Sequence, residues 1–236
     1  MGREWLLEGF RRWGLRHVRR RLARGLDGVQ VSGLDALARR LEDGPVILAA
    51  THASWWDGLV LIAVNAHLGV SGRFLMDQAQ LGELPFARAF GALGVDRRGP
   101  ATARRGLREA RAWLDRPGRL LWVFPQGAHR PPHLRPLGLE RGIEVLADRA
   151  PVVPTGLSYA FREAPRPAAF LHFGEALPPG ARLPDIEAGL LGALAEVDRL
   201  QGGEAAGRLL VHPRTHRPWS ARLLAWLWRL ACPTSS

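Results

Sequence analysis

Two side chains that can handle a proton together, His52 and Asp57, lie five residues apart in this chain. An imidazole accepts a proton near neutral pH, and a carboxylate bonded to one ring nitrogen keeps that nitrogen protonated. The other ring nitrogen is then free to act as a base. The pair therefore indicates acid–base chemistry. The alternative interpretation is a capped helix start beside an incidental histidine.

The flanking residues predict how the pair is positioned. Residues 46–50 form a short apolar run typical of a buried strand, and residues 59–66 read as a helix. Residues five apart do not share a face of a continuous helix, so His52 must lie in the turn before the helix and Asp57 in its first turns. The carboxyl end of a strand in an α/β sheet is where ligands and chemistry are usually found.

Composition indicates the kind of partner. All 33 basic residues of the 236 are arginine, and the net charge is +11. The surplus lies at the two ends: residues 1–26 hold eight arginines against two glutamates, and residues 203–236 hold five against one. Basic ends favour an anionic partner such as a membrane surface or nucleic acid. Cys232 is the only cysteine, which suits a reducing cytoplasm.

Strand and helix patterns alternate along most of the chain. The predicted strands are residues 46–50, 73–76, 120–124, 151–159 and 169–173, the last of these being the final strand. The predicted helices are residues 34–41, 59–66, 85–93, 100–115, 139–147 and 185–200. Such alternation predicts a single α/β domain with a largely parallel central sheet flanked by helices.

The sequence predicts a basic amphipathic helix near each end of the chain, at residues 3–24 and 219–230. Trp13 and Trp226 lie on their apolar stripes, with arginines off the stripes, a pattern typical of helices in a bilayer interface. Docking on the domain is the equal alternative for the first helix. The expected organisation is residues 1–27 as a membrane-interface helix, 28–202 as the α/β domain and 203–236 as a C-terminal amphipathic segment. The N-terminal arginines argue against a signal peptide, and His52 and Asp57 interrupt the longest apolar region.

Four stretches in order resemble one family: His52-x4-Asp57, Gly91-Ala-Leu-Gly-Val-Asp-Arg97, Phe124-Pro-Gln-Gly127 and Ala150-Pro-Val-Val-Pro154. At these separations the chain resembles the glycerolipid (lysophospholipid) acyltransferases, over roughly residues 40–160. Enzymes of that family acylate a free hydroxyl of a glycerol-phosphate lipid. They use a thioester of coenzyme A or acyl carrier protein as co-substrate, and need neither a metal nor a cofactor.

The resemblance assigns a role to each matching residue. It implies that His52 is the catalytic base, that Asp57 orients it, and that Arg97 binds the acceptor's phosphate with its planar fork. The loop Phe124, Pro125, Gln126 and Gly127 is expected to bind substrate, with backbone amides near Gly127 available to a phosphate or an oxyanion. The remaining expected substrate-binding residues are Arg130, Arg141 and Pro154, the last in the wall of the pocket.

The chain also departs from the family pattern. Gln126 replaces a glutamate, and Ala128 and His129 stand where Ser/Thr and Arg are usual, with Arg130 one position later. A lysophosphatidate-like acceptor is the first expectation, and another lysolipid or a glycolipid hydroxyl is the alternative. The implied location is the cytoplasmic side of a membrane, as a peripheral protein.

Two rival interpretations carry less support. His129 and His133 are four residues apart, as are His212 and His216, which on a helix can bind zinc, but both pairs lie in proline-rich loops without a third ligand. No metal is therefore expected. A non-catalytic protein that binds anionic lipid or nucleic acid through the basic ends is the alternative of another class. No nucleic-acid-binding motif appears, so nucleic acid is not an expected partner.

Overall fold

A computed structural model describes residues 2–214 of the chain. The strands in this part form one sheet of eight: β1 Val29–Ser32, β2 Val46–Ala50, β3 Ser71–Asp77, β4 Ala92–Val95, β5 Arg119–Val123, β6 Val152–Phe161, β7 Pro167–Phe173 and β8 Arg208–Val211. Their order across the sheet is β4-β3-β5-β2-β6-β7-β1-β8. β2 thus lies at the centre, between β5 and β6.

Most neighbouring strands run parallel. Every pair from β4 to β6 is parallel, and so is β1 with β7. Only β6 with β7 and β8 with β1 are antiparallel. β2 carries no polar residue and is buried along its whole length, as expected for a parallel strand covered on both faces. The predicted α/β fold with a largely parallel sheet is confirmed.

Helices cover both faces of the sheet: α1 Gly2–Gly25, α2 Leu34–Asp43, α3 Asp57–Leu68, α4 Gln78–Glu83, α5 Pro100–Trp113, α6 Gly142–Ala147 and α7 Leu183–Gly202, with a 3-10 helix at Pro85–Phe90. The pleat of β2 separates the two layers. Leu48 packs into the core that contains α1, α2 and α3, whereas Ile47 and Ala49 pack into the core that contains α5, α6 and α7. Full burial of a leucine or isoleucine side chain contributes about 1.5–3 kcal/mol.

The structure corrects three local predictions. β7 is not the last strand, because residues 208–211 return as the edge strand β8. The predicted helix at 85–93 is a 3-10 helix that stops at Phe90, and Leu93 belongs to β4. Helix α4 was not predicted; it begins where the Asp77 carboxylate caps the amide of Ala79. The segment 203–236 therefore contributes a strand to the sheet, and its predicted helix at 219–230 lies outside the described residues.

Helix α1 buries apolar side chains against the domain along its C-terminal half. Leu22 is fully buried there, and the rings of Phe90 and Trp56 fill notches at Gly14 and Gly25, where any Cβ would overlap them. The N-terminal half instead leaves a row of large apolar side chains exposed: Trp5, Leu6, Leu7, Phe10 and Trp13. Within residues 2–214, no helix combines the length and the apolar composition that crossing a membrane requires.

Candidate active site

His52 is held at the carboxyl edge of the sheet, two residues beyond the end of β2. Thr51 fixes this position because its hydroxyl both donates to and accepts from the backbone of Leu157 in β6, at 3.0 and 2.9 Å. The Thr51 amide also donates to the carbonyl of Thr155. The chain therefore leaves the sheet in one direction, and the predicted location of His52 in the turn before α3 is confirmed.

Asp57 is the first residue of α3 and is completely buried. Its Oδ2 lies 2.7 Å from Nδ1 of His52 and also accepts the amides of Ala53 and Ser54, at 2.9 and 3.1 Å. A carboxylate oxygen that accepts this many hydrogen bonds is held in one orientation. Since it accepts from Nδ1, the Nε2 atom of His52 is the ring nitrogen left to take a proton.

Tyr159 supplies a further donor that sequence reasoning missed. Its hydroxyl donates to Oδ1 of Asp57 at 2.6 Å, reaching across from the far part of β6. Burial, together with the Asp57 charge, raises the pKa of the Tyr159 phenol well above its usual value, so it remains a donor. Tyr159 is the only tyrosine in the chain, and that was the one signal the sequence offered. Both carboxylate oxygens of Asp57 are thus fixed.

The imidazole of His52 lies between two other rings. Phe124 stacks on it with centroids 4.2 Å apart, and His129 lies 4.0 Å away. The His52 side chain keeps 23% of its surface exposed, so a substrate hydroxyl can reach it. Burial, and then the neighbouring His52, lowers the pKa of His129. The sequence did not connect His129 to His52.

Gln126 secures the following loop to the His52 turn rather than facing solvent. It is 5% exposed, its Oε1 accepts the amide of His52 at 2.7 Å, and its Nε2 donates to the carbonyl of Leu137 at 3.4 Å. The amide of Arg130 also donates to the His52 carbonyl at 2.8 Å. Pro125 is buried in the same loop and accepts from the amide of Glu140. A glutamate at position 126 could not donate to Leu137.

Arg97 follows β4, and its guanidinium lies over the loop after β5. One nitrogen donates to the carbonyl of Gly127 at 2.6 Å, and the other pairs with the carboxylate of Glu140. Gly127 has a left-handed φ of 66°, which strains other residues, and a Cβ there would displace the side chain of Glu140. The amide of Gly127 donates to Phe124 within its own turn. Arg97 is 44% exposed, so its outer face remains accessible.

The other predicted substrate-binding residues lie at different distances from this centre. Arg130 and Arg141 are both exposed, Arg130 next to Gly138 of the same loop and Arg141 just before α6. Pro154 is buried against Gly189 of α7, on the sheet face opposite the side chain of Tyr159. The structure brings His52, Asp57, Phe124, Gln126 and Arg130 together, and it does not bring Pro154 to His52.

Among the residues that the structure describes, one group of side chains has the composition of a metal site. Ligand atoms of His52, Asp57 and His129 all lie within 4.8 Å of one another. The Asp57 oxygens already accept four hydrogen bonds, and one of these comes from His52 itself. A cation would have to displace those donors, so the arrangement fits a histidine base better than a metal centre.

A largely parallel α/β sheet with a histidine–carboxylate pair at its carboxyl edge supplies the groups that general-base chemistry requires. Residues 28–158, more than half of the chain, match the family model described as Acyltransferase, so the chain belongs to that family. Its class of activity is accordingly acyl transfer.

One solved structure defines the fold more closely. The crystal structure of the 1-acyl-sn-glycerophosphate (LPA) acyltransferase PlsC from Thermotoga maritima matches with a TM-score of 0.55 and 18% sequence identity. The match covers 84% of this chain and 81% of that one. At this identity the likeness establishes a shared fold. No curated protein matches the sequence.

Proposed function

We propose that the protein transfers a fatty acyl group from a thioester to a hydroxyl of a lysophosphatidate-like acceptor, with His52 as the general base. The observation that carries the proposal is the 2.7 Å bond between Nδ1 of His52 and the fully buried Asp57. This bond leaves Nε2 as the accepting atom at a surface that substrate can reach. The donor is acyl-coenzyme A or an acylated carrier protein, with no further cofactor.

The proposed reaction needs a single proton acceptor. Nε2 of His52 takes the proton of the acceptor hydroxyl as its oxygen attacks the thioester carbonyl. The carbon–sulfur bond then breaks, the ester forms, and the imidazolium returns the proton to the departing thiolate. Asp57 stabilises the imidazolium in between, with Tyr159 and the amides of Ala53 and Ser54 holding the carboxylate still.

Arg97 is the proposed ligand of the acceptor's phosphate. Its fork is already oriented by Gly127, and a phosphate can replace Glu140 as the partner of its second nitrogen. The exposed Arg130 and Arg141 are further proposed phosphate contacts. Another lysolipid or a glycolipid is the alternative acceptor, because Gln126 and His129 depart from the family pattern.

The proposed location is a membrane surface on the cytoplasmic side, with peripheral attachment. The apolar row on the N-terminal half of α1, from Trp5 to Trp13, is exposed and lies on a helix rich in arginine. Aromatic residues beside arginines suit the interface between headgroups and acyl chains. Attachment there would bring the site to its lipid substrates.

Release of free thiol from palmitoyl-coenzyme A, with a panel of acceptors, tests the proposal. We expect release to depend on a lysophosphatidate acceptor and on His52, with His52→Ala as the control. Release only with a neutral glycolipid would replace the proposed acceptor with the alternative. The proposed function would be refuted if no acceptor supported thiol release from palmitoyl-coenzyme A and none supported acyl transfer from acyl carrier protein.

A further inference from the structure

A cavity lies at the β4 edge of the sheet, separate from the side chains of the His52 site. Its volume is about 850 Å³, and His52, Asp57 and Phe124 are not among its lining residues. The walls come from α1, the end of α3, β3, the 3-10 helix, β4 and α5. The proposed reaction uses none of these walls.

The lining is strongly basic. Four guanidinium groups contribute to it, from Arg11, Arg73, Arg88 and Arg105, against the carboxylates of Asp96 and Glu109. Asp96 is already paired, since Arg98 donates to both of its oxygens and lowers its pKa to about 2. Glu109 is 4.0 Å from Arg73. The cavity therefore has positive charge available for an anion.

The cavity lining also contains a neutral hydrogen-bond donor, the indole N–H of a tryptophan. Trp113 lines the cavity, and among the described residues its buried Nε1 has no hydrogen-bond partner. The guanidinium groups of Arg73 and Arg119 stack on its ring, at 3.8 and 3.3 Å from the centroid. Each of these two arginines has a carboxylate partner, Glu109 at 4.0 Å from Arg73 and Asp115 at 3.6 Å from Arg119. The cations of the lining that form no ion pair within the described residues are Arg11, Arg88 and Arg105, and these together with the indole N–H favour an anionic ligand.

The 3-10 helix that lines the cavity also carries exposed apolar side chains at its start. Leu84 and Phe86, at the start of the 3-10 helix, are 40% and 54% exposed. The same helix contacts the apolar row of α1, where Phe10 lies 6.0 Å from Phe90, and Arg11 donates to the carbonyl of Ala89. Arginines of the cavity thus lie next to apolar groups contributed by two helices.

We propose that this cavity binds the phosphate of an anionic phospholipid headgroup, while Leu84, Phe86 and the apolar row of α1 enter the adjoining acyl layer. Soluble phosphate esters offer the same charge but leave these apolar side chains in water, so the lipid is the better match. The inference extends the membrane attachment of the proposed function, and names the lipid class that would retain the protein.

Vesicle sedimentation with the full-length chain tests this headgroup site. The probes are phosphatidylcholine vesicles with and without phosphatidylglycerol, and the variant is Arg88→Gln with Arg105→Gln, both exposed positions. Each arginine near an anionic surface contributes about fivefold in partitioning, so we expect the pair to lose about 25-fold in binding to the anionic vesicles. Binding to neutral vesicles should not change.

The matched control is Arg39→Gln with Arg162→Gln, which removes the same charge from exposed positions. Arg39 is on α2, which packs on β7, five strand steps from β4. That separation of about 24 Å exceeds the Debye length of about 10 Å at 0.1 M salt. We expect the control to lose less than about threefold. Equal losses in both pairs would overturn the proposal in favour of net charge alone.

Two further readouts separate the possible failures. If coenzyme A binding, rather than vesicle binding, falls in Arg88→Gln/Arg105→Gln, the cavity takes a soluble phosphate ester and the lipid proposal is wrong. Thiol release in neutral detergent micelles should be unchanged in this variant. Absence of thiol release in the unaltered protein would refute the proposed reaction, while the vesicle result would still decide the headgroup site.

Discussion

The two halves of the candidate active site are built in opposite ways. Asp57 is completely buried and both its oxygens are taken by His52, Tyr159 and two backbone amides. Arg97 is half-exposed, and one of its contacts is the exposed carboxylate of Glu140. The first half has one possible arrangement, and the second can exchange its partner.

This contrast matches the two tasks of the proposed reaction. Proton transfer requires a base fixed before substrate arrives, because reorganisation at the moment of reaction costs rate. Binding a phosphate requires a cation whose existing partner can leave, and an exposed ion pair contributes only about 0–1 kcal/mol. Changes in the first half should therefore alter kcat, and changes in the second should alter KM.

Among the variants that keep His52, Asp57→Asn should produce the largest loss. An amide at this position cannot accept from all the present donors, and it favours the wrong imidazole tautomer, so we expect kcat to fall by about 10³–10⁴-fold. Steady-state thiol release measures it, with circular dichroism as the control for folding. A change mainly in KM would contradict the proposal that the Asp57 half of the site determines kcat and the Arg97 half determines KM.

Arg97→Met should act on binding instead. Loss of a charge-assisted contact of about 1.5–3 kcal/mol predicts a rise in KM of about 10–100-fold for a phosphate-bearing acceptor. Glu140→Gln is the matched variant, because it removes the competing carboxylate and should leave KM unchanged or lower it. If Arg97→Met changed kcat and left KM alone, Arg97 would belong with the catalytic half.

Tyr159→Phe should have a smaller effect than Asp57→Asn, because three donors to the carboxylate remain. We expect kcat to fall about tenfold, and the free energy of unfolding to fall by about 1–3 kcal/mol, for one lost bond to a buried charge. Kinetics and chemical denaturation measure the two quantities. Unaltered kcat together with lower stability would make Tyr159 purely structural.

The smallest effect is expected from the pH dependence of stability. The folded state keeps Tyr159 protonated at a pH where the unfolded chain ionises its tyrosine, because burial raises the pKa of the phenol. The unfolded state then releases a proton that the folded state retains, so the stability contributed by Tyr159 declines above about pH 10. Tyr159→Phe should lack this part of the decline.

Absorbance at alkaline pH checks this result directly, because Tyr159 is the only tyrosine. Its phenolate band should appear only when the protein unfolds. Titration of the native protein near the ordinary value for tyrosine would mean that Tyr159 is not held by Asp57.

Much of the fold could be predicted from local patterns. The apolar run at residues 46–50 correctly predicted both ends of β2. Pro100 correctly predicted the first residue of α5. The edge strand β8 was not predicted, because it has four residues and only Val211 is buried. A short strand of this kind is stabilised by pairing with β1, which no local pattern records.

In the candidate site, too, contacts between residues close in sequence could be predicted and long-range contacts could not. His52 and Asp57 are only five residues apart, so the sequence alone indicated that they could pair. Tyr159 is 102 residues from Asp57, and meets it only because β6 pairs with β2. Glu140 was hidden for the same reason, since its partner Arg97 is on another element. A long-range contact depends on register, and composition and periodicity do not give register.

The role of His52 as the base is the central claim, and single-turnover acylation by His52→Gln tests it most directly. The protein would be mixed with saturating lysophosphatidate and substoichiometric palmitoyl-coenzyme A, and product formation followed in time. Glutamine retains polar contacts but cannot take the proton, so the account predicts a rate at least about 10³-fold below that of the unaltered protein. A folded His52→Gln variant with a rate close to that of the unaltered protein would contradict it.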